Sequence, residues 1–468
     1  MEILRVDDPF TGEIACEVPM DSGETALSAV ERCAAAQRTW ADSTVADRAA
    51  LVLRFADAFV ADKDRVALEI TRMMGKPLAQ ARAEVDTLAD RARTLAALAP
   101  EALSETALPE KRRFLRSVAR EPVGVVLDIA PWNYPLLTAV NVVAGAVLAG
   151  NGVLVKHSSR TPLCGPQFER AFRLAGAPER LVTSLTLGHE DTRALLSRRE
   201  IGYVAFTGSV AGGLEVQAAA AGRFIGVGLE LGGKDAAYVA EDADLADAAE
   251  QLADGAFYNA GQSCCGVKRI FVHERHFSAF TDSLVALARG YLLGPPEAPA
   301  TTLGPLALPG APQELVAQVE ASRRAGARVL CGGGAAVAGG RGRFLPPTVV
   351  VDEEGATPVM REESFGPVVA LAPVASDASA IERINDCRFG LTASIWTADP
   401  ARAKEIGRRL AVGTVYMNRC DYLDPMLPWL GIKDSGRGLS LSRWGLQELT
   451  RAKSYHFRLR GPGGEGET

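Results

Sequence analysis

The run NAGQSCCG, Asn259 to Gly266, sets two cysteines side by side, and a thiolate is among the strongest nucleophiles that ordinary side chains offer. A free thiol is only a few per cent ionised at neutral pH, so a reactive cysteine needs exposed N–H donors, at a helix start or a chain reversal. NAGQS reads as such a reversal, which would set Cys264 and Cys265 beside them. Both could equally be small buried hydrophobes. A partner group stands 34 residues earlier (264 − 230 = 34): in GLELGGKD, Glu230 lies among apolar and glycine neighbours. Poor solvation there would raise its pKa toward that of a general base, although a glutamate capping a glycine turn would look the same. APWNYP, residues 130–135, follows the strand-like VGVVLDI and so lies at a strand's carboxyl end, where α/β proteins build sites. Asn133 could offer an amide N–H to an oxyanion there, or satisfy its own loop.

A cofactor site is suggested by AFTGSVAGG, residues 205–213, a strand end running through Gly208, Ser209 and Gly213 into a helix-like segment. Glycines let the backbone approach a pyrophosphate, and a helix start favours its charge. The strict GxGxxG spacing is absent, so a plain strand-to-helix turn stays open. VLVKHSS, residues 153–159, ends another strand with Lys156, which could reach ribose hydroxyls or simply be solvated. His273 and His276 have metal-like spacing in HERH, but no clustered partners, and are read as surface residues without a metal.

These groups need a frame to hold them. From Glu24 to Leu98, apolar residues recur every three or four positions, which predicts helices. Beyond residue 123, short β-branched runs alternate with helix-like segments, which predicts parallel sheets covered on both faces. The later runs PTVVVD, PVVALAPV, TASIWT and GTVYMN call for a second sheet. Two α/β lobes with a cleft between them are expected. RFLRSV at 113–118 and KSYHFRLR at 453–460 alternate like strands without local partners, so pairing between subunits is expected. CGGGAAVAGGRGR, residues 331–343, is read as a flexible surface loop, and GPGGEGET as a frayed tail.

A net charge of −6 argues against a nucleic-acid partner. The chain shows no leader-like opening and no run of eighteen apolar residues, so no membrane partner is expected. Eight cysteines without CxxC spacing fit free thiols in a reducing cytoplasm.

Taken in order, these motifs resemble the aldehyde dehydrogenase superfamily. The likeness runs from DPFTGE through GKP at 75–77, PWNYP, FTGS, LELGGK, GQSC and EESFGP at 362–367 to GIKDSGRG at 431–438. It implies two doubly wound lobes, one Rossmann-like and cofactor-binding and one α/β and catalytic, with a small β oligomerisation element. The cofactor lobe would comprise residues 1–104 and 125–230, the catalytic lobe 231–432, and the oligomerisation element 105–124 with 452–468; residues 433–451 would return to the cofactor side.

The resemblance makes Cys264 the nucleophile, Glu230 the base and Asn133 an oxyanion donor, with Cys265 packing or buffering redox chemistry. It implies oxidation of an aldehyde to a carboxylic acid through a thiohemiacetal and a thioester, with NAD or NADP. Trp132, Lys156, Ser159, Gly208, Ser209, Gly213, Glu363 and Phe365 would contact the cofactor. Ser159 stands where many NAD-preferring members carry a glutamate, and Arg160 follows; the lost anion and nearby cation predict that NADP is accepted. Tyr134, Tyr258 and Trp429 would line an aromatic funnel for an apolar or aryl aldehyde. Arg419, near that funnel, could instead anchor a semialdehyde's carboxylate. An acylating relative that uses coenzyme A, and a silent binding protein on the same fold, are the other classes; Glu230 and Cys264 speak against them. A homodimer or homotetramer is implied.

Overall fold

The computed structural model describes residues 2–460. The helical periodicity of the first hundred residues produces Gly23–Ala41, Val45–Ala61, Lys63–Met74 and Leu78–Ala102. Their starts and stops are local. Ser22 accepts a hydrogen bond from the Thr25 amide at 3.2 Å, Thr44 and Asp47 form a reciprocal capping box, and Gly75 closes the third helix at φ 80°.

A first sheet holds the parallel strands Val125–Ala130, Gly152–His157, Val182–Ser184, Ile201–Thr207 and Gly226–Glu230. Val125–Ala130 lies between Gly152–His157 on one side and Ile201–Thr207 on the other, so the winding direction reverses beside it. At that switch point the carboxyl ends of adjacent strands diverge and leave a crevice. Gly436–Arg437 pairs antiparallel at the Gly226–Glu230 edge, which brings the chain back to this sheet.

A second sheet has the order 348–351, 368–374, 267–273, 235–239, 392–396, 414–417, all parallel, with Arg328–Cys331 antiparallel at one edge. Only Leu231–Lys234 separates the last strand of the first sheet from Asp235–Val239 of the second. The crossing is pinned. Ser435 donates its hydroxyl to the Gly232 carbonyl at 2.7 Å, and the Leu231 amide donates to the Ser435 carbonyl at 3.0 Å.

Two expectations are corrected here. The strand-like segments without local partners pair with each other: Thr450–Arg458 lies antiparallel to Phe114–Pro122, with Thr106–Ala107 on the far side. Their contact spans more than three hundred residues of sequence, so no local signal announces it. The glycine-rich stretch is not merely loop, because Ala336–Ala338 and Arg341–Phe344 form a short antiparallel pair within it. The GPGGEGET tail lies outside the described residues. Among the described residues, no helix is long and apolar enough to cross a membrane.

Candidate active site

Three sequence motifs meet at the seam through backbone contacts that leave no room for a side chain. A Cβ on Gly233 would lie 2.1 Å from the Cys264 carbonyl, and one on Gly261 would lie 2.2 Å from the Gly366 carbonyl. One on Gly232 would lie 2.5 Å from a Glu363 carboxylate oxygen. LELGGK, GQSC and EESFGP are therefore pressed together as backbone.

Cys264 is delivered by a tight reversal. Asn259, Ala260 and Gly261 all have positive φ (52°, 54° and 67°), a conformation that costs the two non-glycine residues about 1 kcal/mol or more each. Surrounding hydrogen bonds hold it. Asn259 donates its side-chain amide to the Asn133 carbonyl at 3.0 Å, Lys268 donates to the Gly261 carbonyl at 2.7 Å, and Gln262 accepts from the Ala307 amide at 2.9 Å. Cys264 then sits in a turn directly before the strand Val267–His273. No helix begins there; the reversal expected from NAGQS lies between a short 3-10 turn and a strand.

The two thiols have different surroundings. Cys264 is partly exposed to a cavity, whereas Cys265 is buried and donates to an Asp421 carboxylate oxygen at 2.9 Å. Contact with Cys264 and then burial push the Cys265 thiol well above its ordinary range, so it stays protonated.

Glu230 ends its strand, with Oε1 accepting from Ser440 at 2.5 Å. Burial raises its pKa, while the Ser440 hydroxyl and the Arg91 charge pull the other way. Ser440 is itself held by a backbone bridge to Trp429, with bonds of 2.9 and 3.0 Å. The Asn133 side chain is buried and donates to the Gln262 carbonyl at 3.1 Å, two residues before Cys264.

The Asn133 loop has an anchor that the sequence reading did not assign. Lys76, of the GKP motif, is fully buried, pairs with Glu84 and donates to the Asn133 carbonyl at 2.9 Å. Glu84 in turn accepts from the Leu136 amide at 2.9 Å, at the start of helix Pro135–Leu148.

Cys264, Glu230, Tyr134, Tyr258 and Trp429 line one cavity of about 500 Å³. Arg419 does not reach it. Its guanidinium lies over the Tyr422 ring, 3.4 Å from the centroid, in an adjoining depression that shares Tyr422, Leu423 and Trp429 with the cavity. The buried cation that does line the cavity is Arg91, on helix Leu78–Ala102.

A second cavity, of about 610 Å³, fills the switch-point crevice of the first sheet. Trp132, Lys156, Ser159, Gly208 and Ser209 line it. Ser209 caps helix Val210–Ala220, accepting from the Gly212 amide at 3.1 Å, so the helix start faces this space. Burial lowers the pKa of Lys156. A helix start, a lysine and exposed strand-end backbone fit a dinucleotide's phosphates and ribose. Phe365 stands edge-on to Trp132 at 5.4 Å, and Glu363 accepts from the Gly233 amide at 2.9 Å, which puts both beside the seam.

Two assignments change. Gly213 packs on Leu231, whose side chain would lie 2.6 Å from an added Cβ, and it does not line the cavity. Arg160 is turned away and pairs with Asp7, also donating to the Asp7 carbonyl at 2.6 Å. The arginine on the cavity wall is Arg193, 3.7 Å from Glu215, in addition to Lys156. The histidines of HERH stand apart from both cavities; a His276 ring nitrogen lies 2.7 Å from the Glu241 carbonyl. Among the described residues, no group of three or more His, Cys, Asp or Glu is placed to hold a metal.

The aldehyde dehydrogenase family matches residues 2–455. The NAD(P)+-dependent succinate semialdehyde dehydrogenase of Escherichia coli (strain K12) is 35% identical over 94% of this chain and 95% of its own. An aldehyde dehydrogenase of Paenarthrobacter nicotinovorans is 36% identical over 96% and 98%. Among solved structures, the succinic semialdehyde dehydrogenase of Streptococcus pyogenes in complex with NADP+ superposes with a TM-score of 0.93 at 29% identity, covering 97% of this chain and 100% of that one. The aldehyde dehydrogenase of Bacillus cereus in its NAD+ complex gives 0.94 at 30% identity, covering 98% and 94%. Two wound sheets, a thiol and a half-buried carboxylate opening onto one cavity, and this similarity along nearly the whole length agree: the chain belongs to the aldehyde dehydrogenase family and is an NAD(P)-dependent aldehyde dehydrogenase.

Proposed function

We propose that the chain oxidises an aldehyde to its carboxylic acid by hydrolysis of a thioester on Cys264. The observation that carries this is that Cys264 and Glu230 open onto the same cavity. The Cys264 sulfur adds to the carbonyl carbon, and the oxyanion accepts from the Asn133 side-chain amide and the Cys264 N–H. When bound, the cofactor's nicotinamide would supply a hydride acceptor. Lys156, Ser159, Gly208 and Ser209 would hold the cofactor's phosphate and ribose end, and Trp132, Phe365 and Glu363 its nicotinamide end. Loss of hydride leaves a thioester. Glu230 takes a proton from water as that water attacks the thioester, and Cys264 leaves as thiolate.

For the substrate we propose a short semialdehyde, its carbon chain lying against Tyr134, Tyr258 and Trp429. The names of the Escherichia coli relative and of a 36% identical Synechocystis relative, a probable NADP+-dependent succinate-semialdehyde dehydrogenase, support this over a plain apolar aldehyde. Assembly as a homodimer or homotetramer through the sheet of residues 106–122 and 450–458, in the cytoplasm, completes the reading.

The test is NAD(P)H formation from succinate semialdehyde without a thiol acceptor. Glu230→Gln retains a stoichiometric first-turnover burst while steady-state turnover falls on the order of 10²–10⁴-fold. Cys264→Ser shows neither. Dependence of wild-type turnover on added coenzyme A would overturn hydrolysis.

A further inference from the structure

We propose that Arg91 reads the substrate's far carboxylate and thereby sets the preference for a semialdehyde, an inference that rests on the semialdehyde reading above. Arg91 is 5% exposed and lines the Cys264 cavity. A guanidinium taken out of water needs a counter-charge or a full set of acceptors. Arg91 has neither. Among the described residues it makes no ion pair; Nη1 donates to the Leu137 carbonyl at 3.2 Å and to the Asn141 side chain at 3.1 Å, and Nε is buried without a partner.

The carboxylates around it are otherwise engaged. Glu84 is tied to Lys76, Asp86 to Lys63, and Asp421 accepts from Ser263 and Cys265. Asp90 and Asp254 are on exposed positions of their helices. Glu230 acts on Arg91 through its charge without an ion-pair contact. The cavity therefore has aromatic walls, a nucleophile, and one buried fixed cation with unused donors. An aldehyde ending in a carboxylate supplies what Arg91 lacks, while its carbonyl stays free for Cys264.

The experiment compares succinate semialdehyde with butanal, an uncharged aldehyde of equal chain length, and with 4-aminobutanal. Wild type favours the carboxylated substrate at least about tenfold in kcat/KM. Arg91→Met lowers kcat/KM for it on the order of a hundredfold more than for butanal, the difference falling on KM; the loss both substrates share, from removing the charge near Glu230, falls on kcat. Arg91→Lys, which keeps the charge and guards against misfolding of the first variant, loses only part of the preference. If Arg91→Met lowers both substrates equally, or leaves the preference intact, Arg91 is not the reader, and the semialdehyde reading survives. If wild type favours butanal or 4-aminobutanal, both the reading and the proposal fall, the latter outcome pointing to Asp90 and Asp254 as recognising a cation.

Discussion

The two cavities are lined by near neighbours of one loop, Trp132 and Tyr134, and are built on opposite plans. The switch-point cavity is walled mainly by strand ends and a helix start, with Ser159 and Ser209 exposed and the Arg193–Glu215 pair in solvent. The inner wall of the Cys264 cavity carries anchored side chains: half-buried Glu230 on Ser440, buried Arg91 on Asn141, and the buried Lys76–Glu84 pair behind Tyr134. Backbone suits a ligand whose binding groups do not change during reaction. Anchored side chains suit the place where charge appears and disappears. Damage should therefore cost folding and chemistry on one side, and cofactor choice on the other.

The largest effect separating the two is expected at Lys76. Lys76→Met leaves the Glu84 carboxylate buried and unpaired, which destabilises the fold by about 3–5 kcal/mol, visible as a lower urea midpoint. Unchanged stability would mean that the pair does not anchor the Asn133 loop.

A smaller effect is expected on the cofactor side, at His157. It is fully buried, stacks near Phe168 at 6.1 Å, and neither ring nitrogen has a partner. Burial, then the neighbouring Lys156 charge, lower its pKa to about 3. The unfolded chain thus binds a proton near pH 6.5 that the folded chain refuses until about pH 3, so stability falls as pH drops through this window. Between pH 7 and 5 the loss is about 2 kcal/mol. His157→Phe should flatten that slope in urea titrations; an unchanged slope would assign it to other groups.

The smallest effect concerns cofactor choice. Ser159→Glu places a carboxylate on the cavity wall and should lower kcat/KM for NADP about tenfold relative to NAD, with stability unchanged because the position is exposed. Equal use of both cofactors by that variant would put the ribose elsewhere.

The sequence disclosed these two plans unequally. Helix periodicity and β-branched runs announced the lobes, because burial of one face imposes a local rhythm. Cys264, Glu230 and Asn133 stood out because their motifs are short and glycine-flanked. Arg91 and Glu84 did not, since charges on an Ala-rich helix read as a solvated face. Yet Glu84, Leu88, Arg91 and Leu95 follow one another at helical spacing on the buried stripe of Leu78–Ala102, a signal that was available. Arg160 misled for the opposite reason: its partner, Asp7, lies 153 residues away, and neighbourhood in sequence gave no hint of where the guanidinium turns.

Glu230 ends a strand of the first sheet, and Cys264 precedes a strand of the second. The proposed nucleophile and base are thus mounted on separate bodies joined by the short crossover Leu231–Lys234, which its glycine contacts pin. A hinge motion there would throttle the proposed hydrolysis and leave the proposed thioester on Cys264 in place.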